Sequence, residues 1–478
     1  MIEELISALK GKGFCLYPKS IRKTEGGATI FVAKCGCEKF ICVIEGSNPI
    51  GLSPEAAPAV ENIGFYKLSW ENYLKLKEVL PIAPSPCNKK ASFGTGDRLG
   101  LVTAAHLDVL SRYPVLPVVA QQSPRELMKE HRTFKSVLLD AVMGLLESGY
   151  TGAFGADADH IKDEEHLREG AAAGYSMYTL DVSDWLNNVG DKPESQKREM
   201  AKGLSQESQS VIAENQGRKI QLPGGGEYTV SELELLTSAL IYEKSMQKVC
   251  EMDGVIREYL QNFDLEVSID EGSRETTPED HLFVAEYLHK RGIDFKSLAP
   301  KFPGEFQKGV DFVGDLDAFT KSLKIQVALS REIGGYRLSL HSGSDKFSVY
   351  PIFGDVTGGN FHIKTSGTSW LQAVKLVAAA NAELLQRLYA LCLQNLDESK
   401  KAYHVSITSE NFPPALPDGD LLAFCDRLDV RQLFHISYGV LLDEEKDQIF
   451  NTLCSHEEEH YALVSEHIEK HLNLIYRS

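Results

Sequence analysis

Eight short apolar runs, each ending in polar residues and followed by a helical stretch, constrain this chain more than any other feature of its sequence. They are LGLVT from Leu99, VLPVVA from Val115, TGAFGA from Thr151, YSMYTL from Tyr175, FDLEVSI from Phe263, IDFKSLA from Ile293, YRLSLH from Tyr336 and FHIKT from Phe361. Strands separated by helices line up in parallel, and eight such units predict an α/β fold, a closed (β/α)8 barrel of the TIM type. One connecting helix is delimited closely by TTPEDHLFVAEYLHKRG. Thr277 is its N-cap, Pro278 its first helical residue, Glu279 and Asp280 its first turn, and Lys290, Arg291 and Gly292 its close.

Around the barrel, residues 1–90 read as a small α/β N-terminal unit, and PIAPSPCNKKASFGTG supplies the Pro, Ser and Gly of a linker. The barrel itself is expected over 96–390. An insertion at about 182–232, ending in LPGGGEYT, reads as a lid or a side subdomain, and 391–478 as a mostly helical extension. At 478 residues and 43% hydrophobic the chain can bury a large core. A net charge of -18 argues against a phosphate-backbone surface, so no nucleic-acid partner is expected. LQAVKLVAAANAELL is interrupted by Lys375 and Glu383, so no membrane span is expected either. The start MIEELISALKGKG has no basic leader before an apolar block, which predicts a cytoplasmic protein. The nine cysteines are odd in number and scattered, as for reduced thiols, and Cys35, Cys37 and Cys42 match no zinc spacing.

Catalytic groups of such barrels sit at the C-terminal strand ends, where eight loops converge on one mouth. Reading that position along the chain collects Gln121, Gln122 and Ser123; Asp157, Asp159 and His160; Asp181; Glu266 and Asp270; Lys301; His341, Ser344, Asp345 and Lys346; and Lys364. This is more charge than an interior buries unpaired. A divalent metal is the simplest way to hold His160, Glu266 and His341 together. Glu266 points inward from FDLEVSI, either to ligate that metal or to pair with Lys301 or Lys364. DADH, ending at His160, has the alternative reading of a helix N-terminus capped by Asp residues, and capping and ligation can coexist. His341 alone is as compatible with a hydrogen-bonded core histidine as with a ligand.

Three other motifs compete. HEEEH at 456–460 fits His-Glu-x-x-His, but its helix is saturated with Glu and His and reads as a solvated face. GTGDRLG at 94–100 is placed before a strand, where a dinucleotide loop follows one, and GGG at 224–226 has no Walker lysine.

GDRLGL, AQQS, GADADHIK, SLAPKFPGEFQKGVD, SLHSGSDKFSVYP and HIKTSGTS, between about Gly96 and Lys364, are similar to segments of the tagaturonate epimerase family. That resemblance implies an isomerase of bacterial hexuronate catabolism, interconverting tagaturonate and fructuronate and in some members the corresponding ketohexoses. Locally, Asp159-His160, Glu266 and HSGS at 341–344 resemble the metal site of class II aldolases, with Ser342 in place of a glycine. Together they imply a divalent cation (Zn, Mn, Co or Ni) on His160, Glu266 and His341, and catalytic carboxylates in Asp159, Glu266 and Asp270. Asp159 is expected to handle the C4 hydroxyl proton. Lys301, Lys346 and Lys364 are expected at the substrate carboxylate, with Gln122, Ser123, Ser344 and Asp345 also contacting substrate. The expected partner is a small sugar acid or ketose, with self-association left open. A metal-dependent aldose–ketose isomerase and a noncatalytic sugar-acid binding protein are the alternative readings.

Overall fold

Eight parallel strands close into one barrel in sequence order: β1 Ala91–Thr95, β2 Val115–Gln122, β3 Gly155–Ile161, β4 Met177–Asp181, β5 Asp264–Ser268, β6 Ser297–Ala299, β7 Arg337–Leu340 and β8 Phe361–Thr365. The computed structural model describes residues 2–44, 50–53, 60, 62–401, 403 and 405–476. β8 closes on β1 with His362 opposite Ser92 and Thr365 opposite Thr95. Every residue of these strands except His160 is buried, as a parallel sheet covered by helices outside and packed side chains inside requires.

Six of the runs coincide with strands, and two differ. The first strand is Ala91–Thr95, inside the stretch read as a linker, and not LGLVT. The Asp97 carboxylate explains this. It accepts from the backbone N–H groups of Leu99 at 3.3 Å, Gly100 at 2.8 Å and Val102 at 2.8 Å, which winds 97–102 into a loop before helix Thr103–Leu110. GTGDRLG therefore runs from a strand toward a helix, but its Leu99 and Gly100 amides are occupied by its own aspartate and that of Gly96 by the Thr365 carbonyl. β3 begins at Gly155, later than TGAFGA suggests, which places DADH in a strand and not at a helix cap.

The helix read from TTPEDHLFVAEYLHKRG spans Pro278–Lys290, with Thr277 and Asp280 forming a reciprocal capping box. Ahead of the barrel, antiparallel strands Thr29–Cys35, Glu38–Ile44 and Ile63–Tyr66 build a small sheet around Phe14, Phe31, Phe40 and Phe65. Parts of the 1–90 unit, at 45–49, 54–59 and 61, lie outside the described residues.

Residues 182–232 contribute helices Glu194–Ala201 and Gln206–Asn215 and a hairpin of Lys219–Gln221 with Glu227–Thr229. Arg218 ties this segment to the outer barrel helices through Glu286 and Glu332, each at 2.8 Å. It buttresses the barrel's side, and none of its residues lines the cavities at the mouth.

Beyond β8, helices Thr368–Ala380, Ala382–Gln394, Leu428–Ser455 and Glu457–Ile475 dominate. The first three share a second core with Trp370, Leu388, Leu433 and Tyr438. The last helix is not the solvated face read from its composition. His460, Val464, Ile468, His471 and Leu472 are buried, and Glu457 pairs with Lys34 at 2.9 Å. Among the described residues, no helix is long and apolar enough to cross a membrane.

Candidate active site

Strict alternation along β3 would send Asp157 and Asp159 into the barrel and His160 out of it. A bulge changes this. Ala158 faces Tyr178, but Ile161 faces Leu180, so β3 advances three residues while β4 advances two. His160 absorbs the extra residue with a left-handed φ of 52°, a conformation that costs a non-glycine residue about 1–2 kcal/mol. Asp159 and His160, adjacent in sequence, therefore both line the mouth, beside a cavity of about 660 Å³. Strain of this kind clusters at functional sites.

His341 follows the last residue of β7 and comes to face His160, their ring centroids 4.8 Å apart. Its Nε2 lies 2.7 Å from Glu266 Oε1. An ionised carboxylate only accepts, so Nε2 carries the proton. Nδ1 lies 3.2 Å from Asp270 Oδ2 without forming a hydrogen bond, and is buried and orphaned. On the other side, His160 Nδ1 donates to Asp159 Oδ1 at 2.6 Å, leaving Nε2. Each histidine thus has one nitrogen fixed by a carboxylate and the other left over, the arrangement by which metal-ligating imidazoles are oriented.

Ligand atoms of His160, Asp270 and His341 lie within 4.8 Å of one another. Glu266 is not in this group. It sits one layer deeper and backs His341, with Lys364 Nζ at 3.0 Å from Oε1 and Ser297 Oγ donating to Oε2 at 2.6 Å. The donor set, two nitrogens and one oxygen, suits a first-row divalent ion. A second group, Asp345 with His467 and His471, does not fit one. His471 Nε2 already accepts from the Asp345 N–H and Nδ1 donates to the His467 carbonyl. Neither Cys35, Cys37 and Cys42 nor His456 and His460 appear in any such group among the described residues.

Lys364 organises the acids beneath the mouth. Its Nζ lies 2.8 Å from Asp157 Oδ2, 2.7 Å from Asp159 Oδ1 and 3.0 Å from Glu266 Oε1, and it donates to Thr179 Oγ1. Burial opposes ionisation of all three acids, but Lys364 and the histidines hold Asp159 and Glu266 well below the usual carboxylate range. Burial wins at Asp157, which is pushed up to about 6. Burial also disfavours the His341 cation, yet Asp270 and Glu266 raise that imidazole to about 10, so a divalent ion would have to displace a proton from Nδ1 to bind there. Lys364→Met is expected to take the shared cation from three buried acids, leaving Asp157 with no ion-pair partner among the described residues, and to cost roughly 3–5 kcal/mol. Denaturant unfolding reads this as a lower midpoint with unchanged slope. A loss under about 1 kcal/mol would show that the acids simply take up protons.

Of the other expected contacts, Ser123 lines the cavity, its hydroxyl engaged in a capping box with Glu126. Gln121, not Gln122, faces the mouth, because alternation along β2 turns Gln122 away. Lys301 lines an adjoining cavity, with its ammonium on the Gly272 carbonyl at 2.6 Å. Lys346 lines neither cavity. It is 1% exposed and donates to the carbonyls of Gln307, Val310 and Ser344. Ser344 bonds to Ser366, and Asp345 to Arg431 at 2.9 Å and His467 at 2.6 Å, so these three residues anchor the loop after β7. Reading strand ends missed Arg125, Lys162, His166, Glu271, Lys308 and Ser342, all on the cavity wall. Arg125 stands two residues beyond Ser123 and Ser342 beside His341, so widening the window by two would have found both.

A closed parallel barrel with histidines, carboxylates and lysines gathered at its C-terminal mouth defines a (β/α)8 enzyme acting on a small polar molecule. Residues 17–475 match the sequence model of the tagaturonate epimerases. The chain is 37% identical to a tagaturonate/fructuronate epimerase of Thermotoga maritima, over 97% of this chain and 98% of that protein. Its structure aligns with the native crystal structure of the fructuronate-tagaturonate epimerase UxaE from Cohnella laeviribosi with a TM-score of 0.91, at 34% identity over 99% of both chains. A glycerol complex of that enzyme aligns equally well, with a TM-score of 0.91. The chain belongs to the tagaturonate epimerase family, and is an isomerase of the epimerase type.

Proposed function

We propose that the protein interconverts D-tagaturonate and D-fructuronate by inverting C4, through cleavage and re-formation of the C3–C4 bond. The observation that carries the mechanism is the bulge in β3, which sets Asp159 beside His160 and opposite His341 at one mouth. C4 is β to the C2 ketone, so enolisation loosens the hydrogen on C3 and not the one on C4. A β-hydroxy ketone can instead undergo retro-aldol cleavage. Asp159 takes the C4 hydroxyl proton, the C4–O bond becomes the aldehyde carbonyl, and the C3–C4 electron pair moves toward the C2 oxygen. Rotation of the aldehyde and attack by C3 on its other face return the proton from Asp159 to the new C4 hydroxyl.

His160 and Lys364 both reach Asp159 at Oδ1, which leaves Oδ2 for that proton. Ionised Asp159 is in the form a base needs. His160, Asp270 and His341 would hold a divalent cation, which supplies Lewis-acid polarisation of the ketone. Lys364 fixes Asp159 from below, and Glu266 fixes the His341 ring. The cavity of about 660 Å³ leaves room for the aldehyde fragment to turn.

Turnover in heavy water tests this reading. Product NMR is expected to show no deuterium at C4, because that hydrogen stays on its carbon throughout. The enzyme is also expected to condense dihydroxyacetone with tartronate semialdehyde into both hexuronates. Deuterium at C4, or failure to condense the fragments, overturns the cleavage mechanism.

A further inference from the structure

The cavity beneath His160 adjoins a second of about 420 Å³, and the two share Arg125, Glu271, Lys308, His341 and Ser342 in their walls. Lys308 differs from the other lysines of these walls. Lys364 is surrounded by carboxylates, Lys162 lies 2.8 Å from Asp184, and Lys301 is spent on a carbonyl. Lys308 Nζ donates to the neutral hydroxyl of Ser342 at 2.8 Å, and no described carboxylate forms an ion pair with it. Among the described residues its ammonium is therefore held by a neutral partner and not by an ion pair. Glu271 and Glu305, exposed at the rim, and Asp270 are the acids on the same wall.

Ser342 has a left-handed φ of 49°. Glycine adopts that conformation freely, but glycine has no hydroxyl with which to aim the ammonium. Ser342 adjoins His341, so the residue that aims the ammonium neighbours a member of the candidate metal group, and Lys308, His341 and Ser342 all line both cavities.

Resting on the hexuronate reading above, we propose that Lys308, aimed by Ser342 and assisted by Arg125, binds the C6 carboxylate and sets the preference for sugar acids over neutral sugars. Arg125 lines both cavities with its guanidinium 5.0 Å from the Tyr403 ring centroid. Its planar fork suits a carboxylate. The lysines expected from the sequence are not the ones this places at C6.

The test compares wild type, Lys308→Met, Lys308→Arg and Ser342→Gly. For each, the KM for D-tagaturonate is measured, together with stabilisation against melting by a six-carbon aldonate and by its neutral alditol. Lys308→Met is expected to raise the hexuronate KM tenfold or more, with a smaller change in kcat, and to lose aldonate binding much more than alditol binding. Lys308→Arg is expected to recover most of the loss, and Ser342→Gly to show a partial loss while remaining folded. An unchanged KM in Lys308→Met, or equal weakening toward aldonate and alditol, overturns the subsite. If Lys308→Met does not fold, the Ser342→Gly and Lys308→Arg ratios decide the matter by the same criterion. Wild-type protein that fails to epimerise the hexuronate overturns the functional reading instead.

Discussion

Asp159→Asn is expected to lower epimerisation by roughly 10²- to 10⁴-fold, the range contributed by a positioned acid–base group. Condensation of dihydroxyacetone with tartronate semialdehyde should fall by the same factor, since both directions share one proton transfer at the C4 oxygen. Asn retains an oxygen to accept from His160 Nδ1, so metal content and melting temperature should stay close to wild type. A variant that condenses the fragments at the wild-type rate removes Asp159 from that step. A variant that loses its metal makes Asp159 an orienter of His160.

Removal of divalent cations is expected to abolish turnover, and Zn, Mn, Co or Ni to restore part of it, because mixed nitrogen and oxygen ligands accept several first-row ions. His341→Ala and Asp270→Ala should each purify with little metal. Glu266→Gln should keep metal with affinity reduced roughly 10- to 100-fold, because Glu266 acts on His341 from behind. Metal loss in Glu266→Gln equal to that in Asp270→Ala would return Glu266 to the ligand set. Full activity in rigorously metal-free protein would remove the cation from the mechanism.

The barrel was legible because its strands are short apolar runs, a signal carried by each strand alone. ASFGT was not, since Phe93 is its one large apolar residue, whereas LGLVT, of equal length, displays two leucines and a valine. Likewise, the inward setting of Glu266 follows from alternation, while the shared orientation of Asp159 and His160 depends on a bulge defined only by pairing with β4. The lysines show the sharpest limit. Lys346 and Lys364 look as available in sequence as Lys308, but their partners are hydrogen-bond acceptors brought in from other strands and loops. Which ammonium remains for a substrate is a property of tertiary contacts.

The loop after β7 is held from its far side by the end of the chain. Asp345 receives Arg431 from helix Leu428–Ser455 and His467 from helix Glu457–Ile475, and its N–H reaches His471. On a ribosome, His160 emerges roughly three hundred residues before those histidines, an interval on the order of tens of seconds at about 5–20 residues per second. During that interval the barrel strands can pair and close, and the segment carrying His341 and Ser342 has its contacts to Ser366, Gln307 and Val310 but not those of Asp345. A nascent chain therefore has all eight barrel strands in hand before it has the two helices that hold Asp345 in place.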